Sequence, residues 1–471
     1  MMTQRAYIQP KMQFCTIEDL MPQEHFLRDV EAAVDFSFVY DKVSHLYSSV
    51  GRPSIDPVII VKTLMLGYLY GIFSERKLVS EIQVNIAYRW FLGIDLDEAV
   101  PDHSTLSQLR RRKFNSSRLF EDIFDEIVWK CVDAGFLTGE MLLTDSTHIR
   151  ANASNEKKET ITVSHEPSAY MKRLDEAALA DGLIKDINPP KCKTAEQTKS
   201  LTDPDCGMMS RPGKPAGFHY LNHQTVDGDS GVITDVHVTP GNVADHSSHA
   251  TRIKYQIDKF GFQTQAVGGD AGYDEPEIHA EMFKRGIKTH IPLKDRGTKE
   301  DDGMFTKGAF TYDPALDVYI CPNGCLLRFS SFKKGRGMKR YCSRVADCSD
   351  CPFKGNCIAG KGKIKSIERS YHWSEYEKQH ENDFTERYFE VHKLRKIWCE
   401  GTFSHQKARH CLSRAKMRGL AQTTGQCLLS ACAVNLKRLI KWLNGNPNCP
   451  KIALAAVIDV MSRLFIKIRV A

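Results

Sequence analysis

The chain has 471 residues, 42% hydrophobic and 26% charged, which excludes a disordered or collagen-like polymer and allows roughly two to four folding units. Lys and Arg total 65 against 58 Asp and Glu, a net charge of +7. That excess permits a polyanionic partner without identifying one.

The 15 cysteines are an odd number, and the opening Met-Met-Thr-Gln-Arg lacks the charged-then-apolar start of a secretory signal. A reducing cytoplasm is therefore expected. Ile55 to Phe73 is the most apolar stretch, yet it carries Asp56 and Lys62. A buried helix fits it better than a membrane span.

Residues 54–135 predict several short helices. Pro57 opens one, Ser74 another, and Asp102 or Ser104 caps a third that carries Leu106 and Leu109. That third helix ends in Arg110, Arg111, Arg112 and Lys113, four consecutive cations where DNA phosphates could be neutralised or a helix end merely solvated. Met141-Leu-Leu-Thr-Asp145 then predicts a buried strand that delivers Asp145 at its C-terminal edge.

Residues 155–214 are polar, with little sustained periodicity, and are expected to be an insertion, partly mobile. Gly217–Val226 and Gly231–Val238 predict a hairpin around Asp227-Gly-Asp-Ser. A helix over Ala244–Phe260 follows, then a strand Gln265–Gly269 stopping at Asp270, a helix from about Glu275, and a strand Lys288–Pro292. This alternation requires a mixed α/β sheet with acids at two strand ends and its first and fourth strands adjacent.

From Arg296 to Ser370 the composition turns to Gly, Lys and Cys, which suggests a small inserted module. Its Cys348, Cys351 and Cys357 form one cluster suited to tetrahedral Zn²⁺, with Cys321, Cys325 or Cys342 as fourth ligand and Cys342 taken first. Unligated thiols are the other reading. Helix resumes near Trp373 and runs past Lys407, and Ile452 to Leu464 predicts one more amphipathic helix.

Asp145, Asp270 and Glu400 come from separate segments that could converge on hard divalent cations. Each alone is as consistent with a turn or a helix cap. In the last helix Lys396, Glu400, Phe403, Lys407 and Arg414 recur at steps of four, three, four and seven. That puts them on one face, and Trp398 and Phe403 among the charges favour a DNA-facing surface over a solvated stripe.

The ordered stretches Arg52-Pro-Ser-Ile-Asp-Pro57, Ser74-Glu-Arg, Asn85-Ile-Ala-Tyr-Arg-Trp-Phe91 and Asp102-His-Ser-Thr105 resemble the N-terminal helical domain of insertion-sequence transposases. Thr144-Asp145-Ser-Thr147, Thr239-Pro-Gly-Asn242 with Asp245, Gly269-Asp270-Ala-Gly-Tyr273-Asp274 and Glu400-Gly-Thr-Phe403 resemble the catalytic core of the DDE family, which is RNase H-like. The resemblance implies that Asp145, Asp270 and Glu400 hold Mg²⁺ or Mn²⁺. Asp274 is expected to cap the next helix. Lys407 stands where such enzymes carry a basic residue, and Lys396 where they often carry arginine. Lys393 departs from the usual tyrosine.

The expected architecture is an α/β RNase H-like mixed sheet with flanking helices, a helical N-terminal domain and a small cysteine-rich insertion. Its bounds are a DNA-binding domain at 1–135, a catalytic core at 136–295 and 376–440, the insertion at 296–375 and a helical tail at 441–471. The implied activity is cleavage of element ends and joining of the 3′ ends to target DNA. An inactive DNA-binding repressor and an RNase H-like nuclease without strand transfer are the rivals; a zinc hydrolase is disfavoured because four thiolates leave no site for water. The expected partners are double-stranded DNA, both the terminal inverted repeats and the target, and a second copy in a synaptic dimer or larger assembly. No membrane is involved. Arg110, Arg111, Arg112, Lys113, Lys396, Lys407, Arg414 and Arg418 are the candidate DNA contacts, and the chain is placed in a bacterial cytoplasm with the nucleoid. His148, His219, His246 and His405 carry no assigned role.

Overall fold

The structure is a computed structural model that describes residues 14–48, 50–51, 54–115, 117–165, 169–187, 193–210, 216–294 and 303–445. Arg52, Pro53 and the tail expected as a helix at Ile452 to Leu464 lie outside them.

Among the described residues the N-terminal part holds eight α-helices: α1 (Ile17–Leu20), α2 (Phe26–Ala33), α3 (Phe38–Val43), α4 (Pro57–Leu69), α5 (Glu75–Val84), α6 (Ile86–Leu92), α7 (His103–Leu109) and α8 (Leu119–Asp133). Helices α4, α5 and α7 start where the sequence marks a start. Asp56 accepts the Val58 N–H at 2.7 Å ahead of Pro57, Ser74 accepts from Lys77, and Asp102 accepts the Ser104 N–H at 2.8 Å. Helix α4 is buried from Ile60 to Leu69, and its Lys62 reaches out to Glu31 at 2.7 Å. The apolar stretch is thus a core helix, and among the described residues no helix is long and apolar enough to cross a membrane.

A mixed sheet follows: β1 (Met141–Arg150), a two-stranded ribbon of β2 (Lys158–His165) and β3 (Lys193–Ser200) with α9 (Ala169–Ala180) between, then β4 (Gly207–Met209), β5 (Gly217–Asp227), β6 (Ile233–Pro240), α10 (His249–Phe260), β7 (Ala266–Gly268), α11 (Pro276–Lys284) and β8 (Lys288–His290). The order is β5-β1-β7-β8, with β4 and β6 both on the far side of β5. Strands β5 and β6 are antiparallel to their neighbours, whereas β1, β7 and β8 are parallel. This is the RNase H-like arrangement, and the predicted first and fourth strands, β1 and β7, are adjacent.

One expectation is corrected. Asp145 is mid-strand, because β1 continues along β5 as far as Arg150. Within the stretch expected as a polar insertion, β2 and β3 pair from Lys158↔Ser200 to His165↔Lys193. The ribbon is largely exposed on both faces, so it has no apolar alternation for a sequence to display.

The cysteine-rich module is a five-stranded sheet of β9 (Thr311–Asp313), β10 (Val318–Ile320), β11 (Leu326–Lys333), β12 (Met338–Cys342) and β13 (Ser366–Ser370), with the short helices α12 (Val345–Ser349) and α13 (Lys354–Cys357). Phe310, Tyr319, Leu327, Tyr341 and Ile367 form its own small core.

The chain returns through α14 (Trp373–His380), α15 (Glu386–Arg395), a wide π-helical turn (Lys396–Glu400), α16 (Gly401–Arg409) and α17 (Leu420–Gly445). Helix α17 is buried from Gly425 to Leu436 and lies among α4, α8 and β6. Its Asn435 both donates to and accepts from the backbone of Ile233 at 2.8 Å, which satisfies polar groups of the edge strand β6. One contiguous apolar cluster therefore runs from Met21 through the sheet to Ile440.

Candidate active site

The last parallel pair of β1 and β7 is Leu143↔Gly268. Asp145 and Asp270 each stand two residues beyond it, so strand register alone brings them to one level at the C-terminal edge of the parallel strands. Helix α15 packs over β1, and the π turn hangs Glu400 from it. The buried Cys399 thiol donates to the Leu143 carbonyl at 3.5 Å, holding the turn against the strand that carries Asp145.

Arg395 joins two of the acids. Its Nη1 donates to Asp145 Oδ2 at 3.0 Å and its Nη2 to Glu400 Oε1 at 3.1 Å. The second pair is five residues apart because the turn closes i to i+5, with the Gly401 N–H on the Lys396 carbonyl. The expected basic neighbour was Lys396, which is exposed. Counting by regular helical steps missed Arg395 by one residue.

Asp270 accepts the Gly272 N–H on Oδ1 at 2.8 Å, starting a single 3₁₀ turn over Ala271–Tyr273. Asp245 backs the site, accepting from Ser146 Oγ at 2.5 Å. Burial pushes the Asp145 carboxyl up to about 6; Arg395 and the Ser146 N–H oppose that rise, while Asp270 and Glu400 add to it. The site thus concentrates negative charge against limited compensation, which suits a hard cation.

A cavity of ≈ 560 Å³ opens beside the acids, walled by Ser146, Thr147, His148, Arg150, His219 and Lys407. Lys407 Nζ donates to Thr147 Oγ1 at 2.6 Å, two residues from Asp145. Arg414 is not on the helix of Glu400, because α16 ends at Arg409 and the chain crosses the end of β1 with Arg414 bridged to Arg150. Arg414 donates to Asn152 Oδ1 at 3.4 Å and Arg418 to the Asn152 carbonyl at 3.1 Å; both arginines are exposed. Trp398 and Phe403 face inward, contrary to the DNA-facing expectation. Phe403 is buried, and Trp398 lies under Arg438 and against Gly231, whose missing side chain makes the room.

Among the N-terminal cations, Arg110 is buried and paired with Glu75, since a π turn over Arg110–Phe114 rotates it inward. Lys113 stacks on Tyr47 at 3.4 Å. Arg111 and Arg112 are exposed.

In the cysteine module the Cys325 N–H donates to Cys321 Sγ at 3.3 Å. Burial pushes the Cys357 thiol up, Lys365 opposes it, and Cys348, Cys321 and Cys351 add to the rise. Cys342 ends β12, and among the described residues no three of the module's thiols lie within 4.8 Å of one another.

Among the described residues, one group of three ligand-type atoms lies within 4.8 Å of one another: Asp274, His279 and His380. Asp274 does not cap α11, whose N-cap position is Glu275.

Residues 15–112 match the family model described as Transposase domain (DUF772), and residues 320–440 match that described as Transposase DDE domain. No curated protein matches. A cryo-EM structure of the piggyBac transposase synaptic complex with hairpin DNA aligns at 8% identity and a TM-score of 0.37, covering 88% of this chain and 74% of that one; a likeness that low adds nothing to the argument. The two family matches fall in the order the motifs predicted, on the N-terminal helices and on the segment bearing Glu400, and both are with transposase domains.

Proposed function

We propose that the chain binds the two ends of an insertion sequence, cuts them, and joins the freed 3′ ends to target DNA. The observation that supports this best is the meeting of three acids from distant segments, with Asp145 and Asp270 level across adjacent strands and Arg395 linking Asp145 to Glu400.

Asp145, Asp270 and Glu400 would hold Mg²⁺ or Mn²⁺; the fit is favoured by oxygen-only donors and by a guanidinium already drawn between two of the acids. When bound, such ions polarise the scissile phosphate and ease deprotonation of the attacking water or 3′-hydroxyl. Asp270 has Oδ1 fixed by the Gly272 N–H, which limits the rotation of its carboxylate. Ser146 and Asp245 steady the strand beneath. Lys407 and Arg150 line the cavity where a phosphodiester backbone would lie, and Arg414 and Arg418 extend that basic edge toward Asn152. Arg111 and Arg112 remain as N-terminal phosphate contacts.

The cysteine module is proposed to bind a structural Zn²⁺ through Cys348, Cys351 and Cys357 with Cys342, Cys321 or Cys325 as fourth ligand, the module closing on the ion as it binds. One zinc per chain, lost in Cys351→Ser, is the expected analysis.

The test of the function is incubation of purified protein and Mg²⁺ with a labelled duplex carrying the element's own end and an unlabelled target. Joined product supports the transposase reading. Cut ends without joining indicate a nuclease, and binding without cutting indicates a repressor.

A further inference from the structure

Asp274 lies four residues beyond the catalytic candidate Asp270, joined to it by the 3₁₀ turn over Ala271–Tyr273. Its side chain is 1% exposed. One oxygen, Oδ1, faces His279 Nε2 at 3.1 Å and His380 Nε2 at 3.2 Å; the other accepts from the Lys294 N–H at 2.8 Å and the Tyr376 hydroxyl at 3.0 Å. Both histidines are held on their outer nitrogens as well. His279 Nδ1 meets Thr289 Oγ1 at 2.7 Å, and His380 Nδ1 meets Asp383 Oδ2 at 2.6 Å.

We propose that His380, protonated between Asp274 and Asp383, is a positioning residue that latches the Asp270 turn to helix α14. Two carboxylates flank the two nitrogens of one imidazole, and only the doubly protonated ring donates to both. His279 needs no charge, because its Thr289 partner is a hydroxyl that can donate to Nδ1 while Nε2 donates to Asp274. The groups facing His380 are Asp274 from the turn, Asp383 from the chain after α14, His279 from α11 and Tyr376 from α14 itself.

The electrostatics agree with this protonation. Burial acts to lower the pKa of His380, but its bonds to Asp274 and Asp383 outweigh it and the net shift is upward. Burial lowers that of His279. Burial would raise Asp274, yet the donors from His279, His380 and Lys294 hold it well below the usual carboxylate range. A cation in place of the proton would take the same three atoms, which makes metal binding the rival to exclude.

The latch matters because α14 is the first helix after the cysteine module. Thr289 and Gln379 continue the clamp into β8, where the Thr289 N–H donates to Gln379 Oε1 at 3.0 Å. The position of Asp270 is thereby tied to the segment that returns from that module.

The test is hydrogen exchange of the full chain, without DNA, followed in peptides spanning residues 266–280. Wild type, His380→Gln and Asp383→Asn are compared between pH 5 and 9 after correction for the intrinsic pH dependence of exchange. A raised histidine pKa gives protection that is complete below the unfolded value and lost as pH rises through the folded one. Wild type should show that loss, Asp383→Asn should show it at lower pH, and His380→Gln should exchange about tenfold faster than wild type at low pH and converge with it as pH rises. Should His380→Gln fail to fold, the displacement in Asp383→Asn decides alone. A profile unmoved by Asp383→Asn, or one stoichiometric metal ion per chain lost in His279→Ala, overturns the latch. The importance of the latch rests on the proposed function, but exchange is read without activity. A protein that never cuts DNA would refute that function and leave this result standing.

Discussion

Asp270 and Asp274 are separated by a single turn and have opposite surroundings. Asp274 is enclosed, with both oxygens occupied by donors from His279, His380, Tyr376 and the Lys294 amide. In the cluster of Asp145, Asp270 and Glu400 one guanidinium is shared between two carboxylates, and Glu400 is 55% exposed. A carboxylate whose lone pairs are filled serves the fold, and one left short of positive charge is available to a cation. Spacing in sequence does not distinguish them; hydrogen-bond satisfaction does.

The contrast is sharpened most by Asp145→Asn and Glu400→Gln. Each should lower metal-dependent cleavage by about 10³-fold or more, roughly 4 kcal/mol of transition-state stabilisation, in an otherwise folded protein. Single-turnover rates at saturating Mg²⁺ measure it, and a loss under tenfold would break the assignment.

Phe403→Ala and Trp398→Ala come next. Both side chains are packed inward, so each truncation should cost about 3–5 kcal/mol of stability with DNA affinity unchanged in the folded fraction. Thermal unfolding and binding titration separate the two effects. Weaker DNA binding at unchanged stability would restore the DNA-facing reading.

The third concerns pH. Asp145, raised to about 6, takes up a proton as pH falls through that value, and a protonated carboxyl cannot hold the cation. The Mg²⁺ concentration for half-maximal cleavage should therefore rise below pH 6. Arg395 lowers the pKa of Asp145, so Arg395→Ala should move this limb to higher pH. A limb that stays in place would detach Arg395 from the site.

The smallest effect is expected at the basic edge. Lys407→Ala or Arg414→Ala should each flatten the dependence of log binding constant on log salt by about 0.9 if it removes one phosphate contact. An unchanged slope would leave those side chains to the fold.

Much of the sheet is legible in the sequence because β1 opens on an apolar run, β7 is a short apolar run, and β5 and β6 flank a polar turn containing Gly228. The helix starts are legible from Asp56, Ser74 and Asp102, whose caps are local. The three acids are singled out by resemblance, since nothing in their own spacing separates them from caps. Two π turns account for much of what was not legible. Over Lys396–Glu400 the wide turn brings Arg395, not Lys396, onto Glu400, and over Arg110–Phe114 it turns Arg110 inward to Glu75. A reading at 3.6 residues per turn cannot foresee either. Asp274 was misread as a cap because its partners His279 and His380 are joined to it by tertiary packing, and the exposed ribbon of β2 and β3 carries no apolar signal at all.

The central claim is that Asp145, Asp270 and Glu400 form one cation-dependent cutting site. It is tested most directly by cleavage of a labelled duplex carrying the element's ends, with Mg²⁺ or EDTA, for wild type and Asp270→Ala. The account predicts cutting by the wild type with Mg²⁺ alone, and none by Asp270→Ala at equal DNA binding. Cutting that survives EDTA or the substitution would contradict it.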